Sequence, residues 1–160
     1  IMLRHGQVRI KRKSYPVTLR KSYRFKENGI ELSIAVANSG SAPVELWYGL
    51  EFNLALAGKG DECSDFSVQI GEKEKRVSCK ATALDSISSV RIVDKANGVR
   101  LALGADRVFS LWSLPVESVC YEREERSTVY QGSCFVLQWE IKLQPEQQDE
   151  LKVSIDLRKG

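Results

Sequence analysis

A chain of 160 residues suits one domain that can bury roughly 70% of its unfolded surface without disulfide or metal staples. Its net charge of +3, with 28% charged residues, gives no electrostatic footprint for nucleic acid. No apolar run approaches the roughly 18 residues that span a membrane and no signal peptide is recognisable, so neither a nucleic-acid nor a membrane partner is expected.

A basic cluster does mark the N-terminal part: Arg9, Lys11, Arg12, Lys13, Arg20, Lys21, Arg24 and Lys26. Many of these fall on alternate positions, which reads as a solvated sheet face in preference to a polyanion patch. The first residue is Ile1, not Met, and the expectation is one domain over residues 1–160 cut from a larger enzyme. Cysteines stand at 63, 79, 120 and 134 with no C-x-x-C pair, which argues against structural zinc. Cys134 lies in an apolar pattern and reads as a buried thiol. Cys63 and Cys79 sit in the least regular stretch, where a disulfide between them is one alternative to the cytoplasmic, reduced state expected by default.

In chain order, Val8 and Ile10 alternate with polar residues in a first strand over 7–13, which Pro16 is expected to break because proline removes a ladder donor. Residues 17–25 make a second strand and Asn28-Gly29 a turn. A third strand over 30–37 alternates Ile30, Leu32, Ile34 and Val36 with polar or small residues. The loop NSGSAP (38–43) follows. Residues 44–57, VELWYGLEFNLALA, give the longest alternation in the chain. Val44, Leu46, Tyr48, Leu50, Phe52, Leu54 and Leu56 share one side, and Glu45, Trp47, Gly49, Glu51, Asn53 and Ala55 the other, as in a long strand with one face in a core.

Beyond residue 57 a polar loop runs to Asp65, then Phe66, Val68 and Ile70 form a short strand. GEKEKR (71–76) reads as a charged turn, and 78–86 shows no clear period. Val90 and Ile92 lead to Asn97-Gly98, a hairpin signal, with Val99, Leu101 and Leu103 on its far side. Strands over 107–114 and 116–122 are expected on either side of Pro115, and EREER (122–126) as a turn. Phe135, Leu137, Trp139, Ile141 and Leu143 share one apolar phase, so Trp139 reads as core. A last strand carries Leu151, Val153, Ile155 and Leu157. With no 3.6-residue period of any length, about eleven strands indicate an all-β, twisted two-sheet β-sandwich.

The residues offer little independent chemistry. His5 is the single histidine and stands near a terminus expected to fray, so a nucleophile–histidine pair is not expected. Neither G-x-G-x-x-G nor a Walker pattern occurs, and no cofactor is expected. Asp61, Glu62 and Asp65 cluster in one loop but match no calcium-loop spacing, and read as solvated acids. Glu51 and Glu140 could be paired carboxylates only if held about 5–10 Å apart. Aromatics offer more, because sugar rings stack on Trp and Tyr while their hydroxyls pair with carboxylates and amides. Trp47, Glu51 and Asn53 supply those types on one strand face; Trp112, and Tyr130 with Gln131, are further candidates. The competing reading for each is packing between sheets, since tryptophan is usually mostly buried.

Three segments together resemble the C-terminal β-domain of α-amylase/4-α-glucanotransferase enzymes of glycoside hydrolase family 57. They are WYGLEFNLALAG (47–58), LWSLPVESV (111–119) and TVYQGSCFVLQW (128–139). The resemblance runs in order over about residues 7–157 and implies a galactose-mutarotase-like (supersandwich) fold that follows a catalytic (β/α) barrel. In such enzymes the catalytic carboxylates lie in the barrel, so no residue here inherits a catalytic role. Trp47, Glu51, Asn53, Trp112, Glu117, Tyr130 and Gln131 match the motifs, and the resemblance implies that they pack on the barrel or line an α-1,4-glucan cleft. The short, irregular stretch over 58–86 departs from the family's pattern. Two other readings stand beside this one: a stand-alone sugar mutarotase or epimerase, against which the single His5 argues, and a free-standing interaction module with the basic N-terminal strand as its surface.

Overall fold

The computed structural model describes residues 1–57, 64–77, 80–122 and 125–160. Alternation dominates, and ten antiparallel strands result: β1 (Met2–Ile10), β2 (Lys13–Lys26), β3 (Gly29–Asn38), β4 (Val44–Leu54), β5 (Ser64–Ile70), β6 (Lys73–Val77), β7 (Thr82–Asp94), β8 (Val99–Glu122), β9 (Glu125–Leu143) and β10 (Gln148–Lys159). No helix occurs among the described residues. The all-β sandwich expected from the periodicity is therefore the observed architecture.

Hydrogen bonds link all ten strands into one network, because β8 belongs to both layers. The larger layer runs β1-β2-β3-β10-β8-β7-β5-β6, and β9 joins β8 to β4 in the smaller one. The first part of β8 (99–105) lies between β10 and β7, while residues 110–122 pair with β9. The strand changes layers at an irregularity in the β7–β8 ladder. Ile87 pairs with Phe109 and Ser89 with Gly104, so residues 105–108 of β8 oppose Ser88 alone, and Ser86 of β7 has a positive φ of 61°. Such bulges bend and twist a strand, which lets one strand turn the corner of a sandwich. Arg107, in the bulge, forms a two-pronged ion pair with Asp149 of β10, its Nη1 lying 3.1 Å from Oδ1.

The core fills the space between the layers. Leu32, Ile34, Val36, Val68, Val90, Ile92, Leu103, Leu151 and Val153 face Val44, Leu50, Phe109, Leu111, Leu137, Ile141 and Leu143. Phe66 of β5 meets Phe135 of β9 edge to face at 5.5 Å, and Trp139 packs against Phe109 and Tyr48. Edge-to-face and offset ring pairs suit the aromatic quadrupole. The crossing from β3 to β4 is pinned by the buried Asn38. Its Nδ2 donates to the carbonyls of Ala42 (2.8 Å) and Leu143 (3.3 Å), and its Oδ1 accepts from the Gly40 amide (3.0 Å).

Several expected boundaries move. Pro16 lies inside β2, opposite Gln7, and does not break it. The β2–β3 ladder starts only at Val17, so Pro16 stands where a missing donor costs little. Residues 107–122 form one uninterrupted strand through Pro115 for the same reason: β7 pairs with β8 only as far as Ser113. His5 sits in β1 and is not in a frayed terminus. The stretch read as a charged turn over 71–76 contains only a tight turn at Gly71 (φ 56°), followed by β6. With both faces of Lys73–Arg76 solvated, a charged edge strand leaves no apolar period to read. In the stretch with no clear period, residues 78–79 lie outside the described residues, and β7 runs from Thr82 into a register shift after Leu84 that changes the phase. The strand expected to run to residue 57 ends at Leu54, and ten strands are described where about eleven were expected.

Candidate functional site

Along β4 the burial follows the sequence phase: Val44 and Leu50 are buried, whereas Glu45, Trp47, Gly49, Glu51 and Asn53 are exposed. The register extends this outer face across three strands. Trp47 lies opposite Glu140, Gly49 opposite Gln138, Glu51 opposite Val136 and Asn53 opposite Cys134. On β8, Ser110 continues the Gly49–Gln138 row and Trp112 the Glu51–Val136 row. Trp47 (64% exposed) and Trp112 (49%) thus stand on one face of the smaller layer. From strand spacing and rise, their Cα atoms lie about 16 Å apart diagonally. Between them, Gly49 has no side chain, and the nearest atom to a Cβ built there would be Val136 Cγ1 at 3.4 Å. The floor is therefore low where the flanks carry indoles.

Polar groups on this face are held in place. Asn53 Nδ2 donates to Glu51 Oε1 at 2.6 Å, which fixes the amide and the carboxylate relative to each other. Ser110 donates to Asp85 Oδ1 at 2.7 Å. Lys142 bridges Glu45 (2.8 Å) and Glu140 (3.1 Å), and this ammonium holds the Glu45 carboxyl below its ordinary range. Glu51 and Glu140 lie on adjacent strands four residues apart, about 14 Å between Cα atoms, which exceeds the roughly 5–10 Å that paired-carboxylate chemistry uses. With Glu140 also tied to Lys142, the two do not form a catalytic pair. Cys134 is buried as expected, and burial, then the nearby Glu51 carboxylate, pushes its thiol up.

Glu117, Tyr130 and Gln131 stand elsewhere. Beyond Val116 the β8–β9 ladder shifts by one residue at Gln131, so Glu117 pairs with Tyr130 directly. Among the described residues, both strands from there pair only with each other and form a two-stranded arm. Tyr130 Oη bonds the buried Ser133 Oγ at 2.7 Å, and Gln131 Nε2 donates to Ser118 Oγ at 3.0 Å. Gly132 is dictated by contact: a Cβ there would come within 2.5 Å of the Leu54 carbonyl oxygen. A groove of about 220 Å³ beside it is lined by Asn53, Leu54, Ala55, Val116, Gln131, Gly132 and Ser133. The seven sequence candidates therefore divide into an outer-face group of four and an arm group of three, with Asn53 and Gln131 meeting at the groove.

Other candidates resolve differently. His5 Nδ1 lies 3.0 Å from Thr18 Oγ1 on the exposed surface of the larger layer. Asp65 pairs with Lys95 (2.8 Å) and Arg76, and Lys95 first among them lowers its carboxyl. Asp61, Glu62, Cys63 and Cys79 lie outside the described residues. Among those described, Cys120 and Cys134 are free thiols, and no group of three or more His, Cys, Asp or Glu side chains could hold a metal. Sequence reasoning missed Gln138, Val136 and Ser110, because only the register of three strands places them on the face of Trp47 and Glu51, and it missed Asp85, which meets Ser110 from β7. It also missed Asp94, which is buried beyond the end of β4. Burial pushes its carboxyl up, but hydrogen bonds from the amides of Ala57 (3.0 Å) and Asn97 (3.1 Å) prevail and hold it below the usual range.

The fold is an all-β sandwich whose long strand switches layers and whose smaller layer presents an outer face with two exposed indoles. Residues 1–155 match the family model described as alpha-amylase/4-alpha-glucanotransferase, C-terminal, and the chain belongs to that family. A search of curated proteins by sequence finds no match. The fold is similar to the crystal structure of 4-alpha-glucanotransferase from Thermococcus litoralis: TM-score 0.74, 16% identity, over 96% of this chain and 20% of that one. It is also similar to a galactose mutarotase-like protein from Lactobacillus casei (TM-score 0.69, 11% identity, 98% of this chain and 68% of that one). A galactose mutarotase related enzyme from Lactobacillus acidophilus gives TM-score 0.61 and 12% identity over 98% and 67% of the two chains. The chain thus spans one fifth of the length of the glucanotransferase it resembles.

Proposed function

We propose that this chain is a non-catalytic C-terminal domain of an α-glucan-active enzyme, an α-amylase or 4-α-glucanotransferase of glycoside hydrolase family 57, acting in the cytoplasm. Its outer face binds α-1,4-glucan. The observation that carries this reading is the pair of exposed indoles, Trp47 and Trp112, on one sheet face, with Glu51 in the row of Trp112 and bonded to Asn53 on the same face. Indoles offer stacking surface to the C–H faces of sugar rings, and the tethered carboxylate–amide pair offers fixed acceptors and donors to hydroxyls. The arm is the side that packs on the catalytic barrel of the same parent chain. It exposes Val119, Tyr121 (76% exposed) and Val129, and a ribbon of two strands is marginal in water unless it packs on something else.

Calorimetric titration with maltohexaose tests the binding half. Saturable heat that disappears in the Trp47→Ala, Trp112→Ala double variant is expected. No heat at millimolar ligand would overturn glucan binding and leave the scaffold role, which a loss of parent-enzyme solubility or thermal stability in Tyr121→Asp would then support. A mutarotation rate above buffer from the purified chain would overturn the non-catalytic assignment in favour of the epimerase reading.

A further inference from the structure

The edge of β4 that faces away from β9 has no strand beside it among the described residues. An open edge is a row of unsatisfied amides and carbonyls, and proteins usually blunt such edges with charge, proline or bulges. The edges of the larger layer are treated in that way. β6 is short and reads KEKRV, and β1 carries Arg4 and Arg9. By contrast β4 pairs with β9 without a bulge over its whole length and contains no proline or lysine. Its inward side chains are Leu46, Tyr48, Leu50 and Phe52.

The larger layer extends past this edge. Lys21 of β2 reaches over the Tyr48 ring, with Nζ 5.9 Å from its centroid, so β4 lies above β2. Tyr23 and Phe25 share the phase of Lys21 and of the core-packed Leu19, and pair with Leu32 and Ile30, which are buried or packed on the core. They therefore line the inner face of the layer, yet both are exposed, Phe25 by 76%. Open backbone edge and uncovered apolar shelf coincide.

We infer that one further strand of the same polypeptide, from outside residues 1–160, adds to the β4 edge and packs its inner side chains on Tyr23 and Phe25. The size of related folds argues for this occupant over a second copy. The mutarotase-like structures match nearly all of this chain, yet roughly one third of their own length lies outside the match, so sandwiches of this fold hold more chain than these ten strands. Regular main-chain pairing supplies the affinity, and burial of Tyr23 and Phe25 adds to it. This site is separate from the outer face and from the arm, and stands whether or not the domain binds glucan.

Two measurements on the full natural polypeptide test it. In the first, Phe25 is replaced by p-benzoylphenylalanine, and irradiation products are mapped by peptide mass spectrometry. The expected product is a cross-link within one monomer to a peptide outside residues 1–160. In the second, hydrogen exchange of the unaltered protein reads the β4 amides turned away from β9. These should exchange about 100-fold slower than those of the exposed β6 edge, independently of protein concentration. Cross-links between copies, or protection that falls on dilution, would assign the edge to self-association and overturn the inference. So would fast exchange along β4, or a natural polypeptide that holds nothing beyond residues 1–160.

Discussion

The two faces of the β4–β9–β8 layer are built from the same strands and both carry tryptophan, yet these tryptophans have opposite fates. Trp139, on the inner side, is 4% exposed and wedged between Tyr48 and Phe109; Trp47 and Trp112, on the outer side, remain open to solvent. A one-residue change of phase moves a side chain from core to surface, so alternation alone separates an indole that stabilises the fold from one free to meet a ligand. What alternation does not reveal is which outer-face residues of neighbouring strands stand together.

The sharpest way to break this contrast is on the inner face. Phe135→Ala should cost about 3–5 kcal/mol in urea unfolding, because it removes a fully buried ring that meets Phe66 across the layers. A cost below 1 kcal/mol would show that the layers are not tightly packed there. Asp94→Ala should cost about 1–3 kcal/mol, since the amides of Ala57 and Asn97 lose their acceptor. Because the Asp94 carboxyl is depressed on folding, its contribution is complete above the unfolded value of about 3.9 and is lost as pH falls through the lower folded value. The natural chain should therefore lose more stability below pH 4 than the variant does; parallel curves would refute the assigned role.

Tyr48→Phe acts at the opposite extreme of pH. Burial, then Tyr23, pushes the Tyr48 phenol up to about 12. Folding therefore favours the protonated ring, and stability falls as pH rises from about 10 toward that folded value. The phenylalanine variant should lack this alkaline loss and differ little near neutrality, which thermal melts across pH would read. The smallest effect on stability belongs to the outer face. Trp47→Ala with Trp112→Ala should change unfolding by only about 0.5 kcal/mol, the range of ordinary surface changes, while weakening maltohexaose at least about tenfold. Stability and binding lost together would mean that the outer indoles are structural and that the two faces are less distinct than their exposure indicates.

Much of the fold was legible because strands have a period of two. The phase of residues 44–54 and 135–143 was readable residue by residue, and the structure buries the side that carried the apolar run. The turn at Asn97-Gly98 was equally plain: Gly98 adopts a positive φ of 61°, and Asp94 accepts from the Asn97 amide. Errors arose where the cue was indirect. Pro16 and Pro115 read as breaks because a sequence does not show where a neighbouring strand ends. β6 was hidden because a strand solvated on both faces has no apolar phase. The candidate site was half legible: Trp47, Glu51, Asn53 and Trp112 were chosen for their types, and the register brings those four to one face while setting Glu117 and Tyr130 apart on the arm.

By itself the sequence determined that the chain is all strand, which side of each main strand enters the core, and which indole is structural. Those are local consequences of alternation and of turn chemistry. Only the tertiary structure decided that β8 serves both layers, that Trp112 shares a face with Trp47, and that among the described residues the edge of β4 lies open above an uncovered shelf. Each depends on the pairing of strands distant in sequence, and on a bulge of a few residues whose bend no local pattern records.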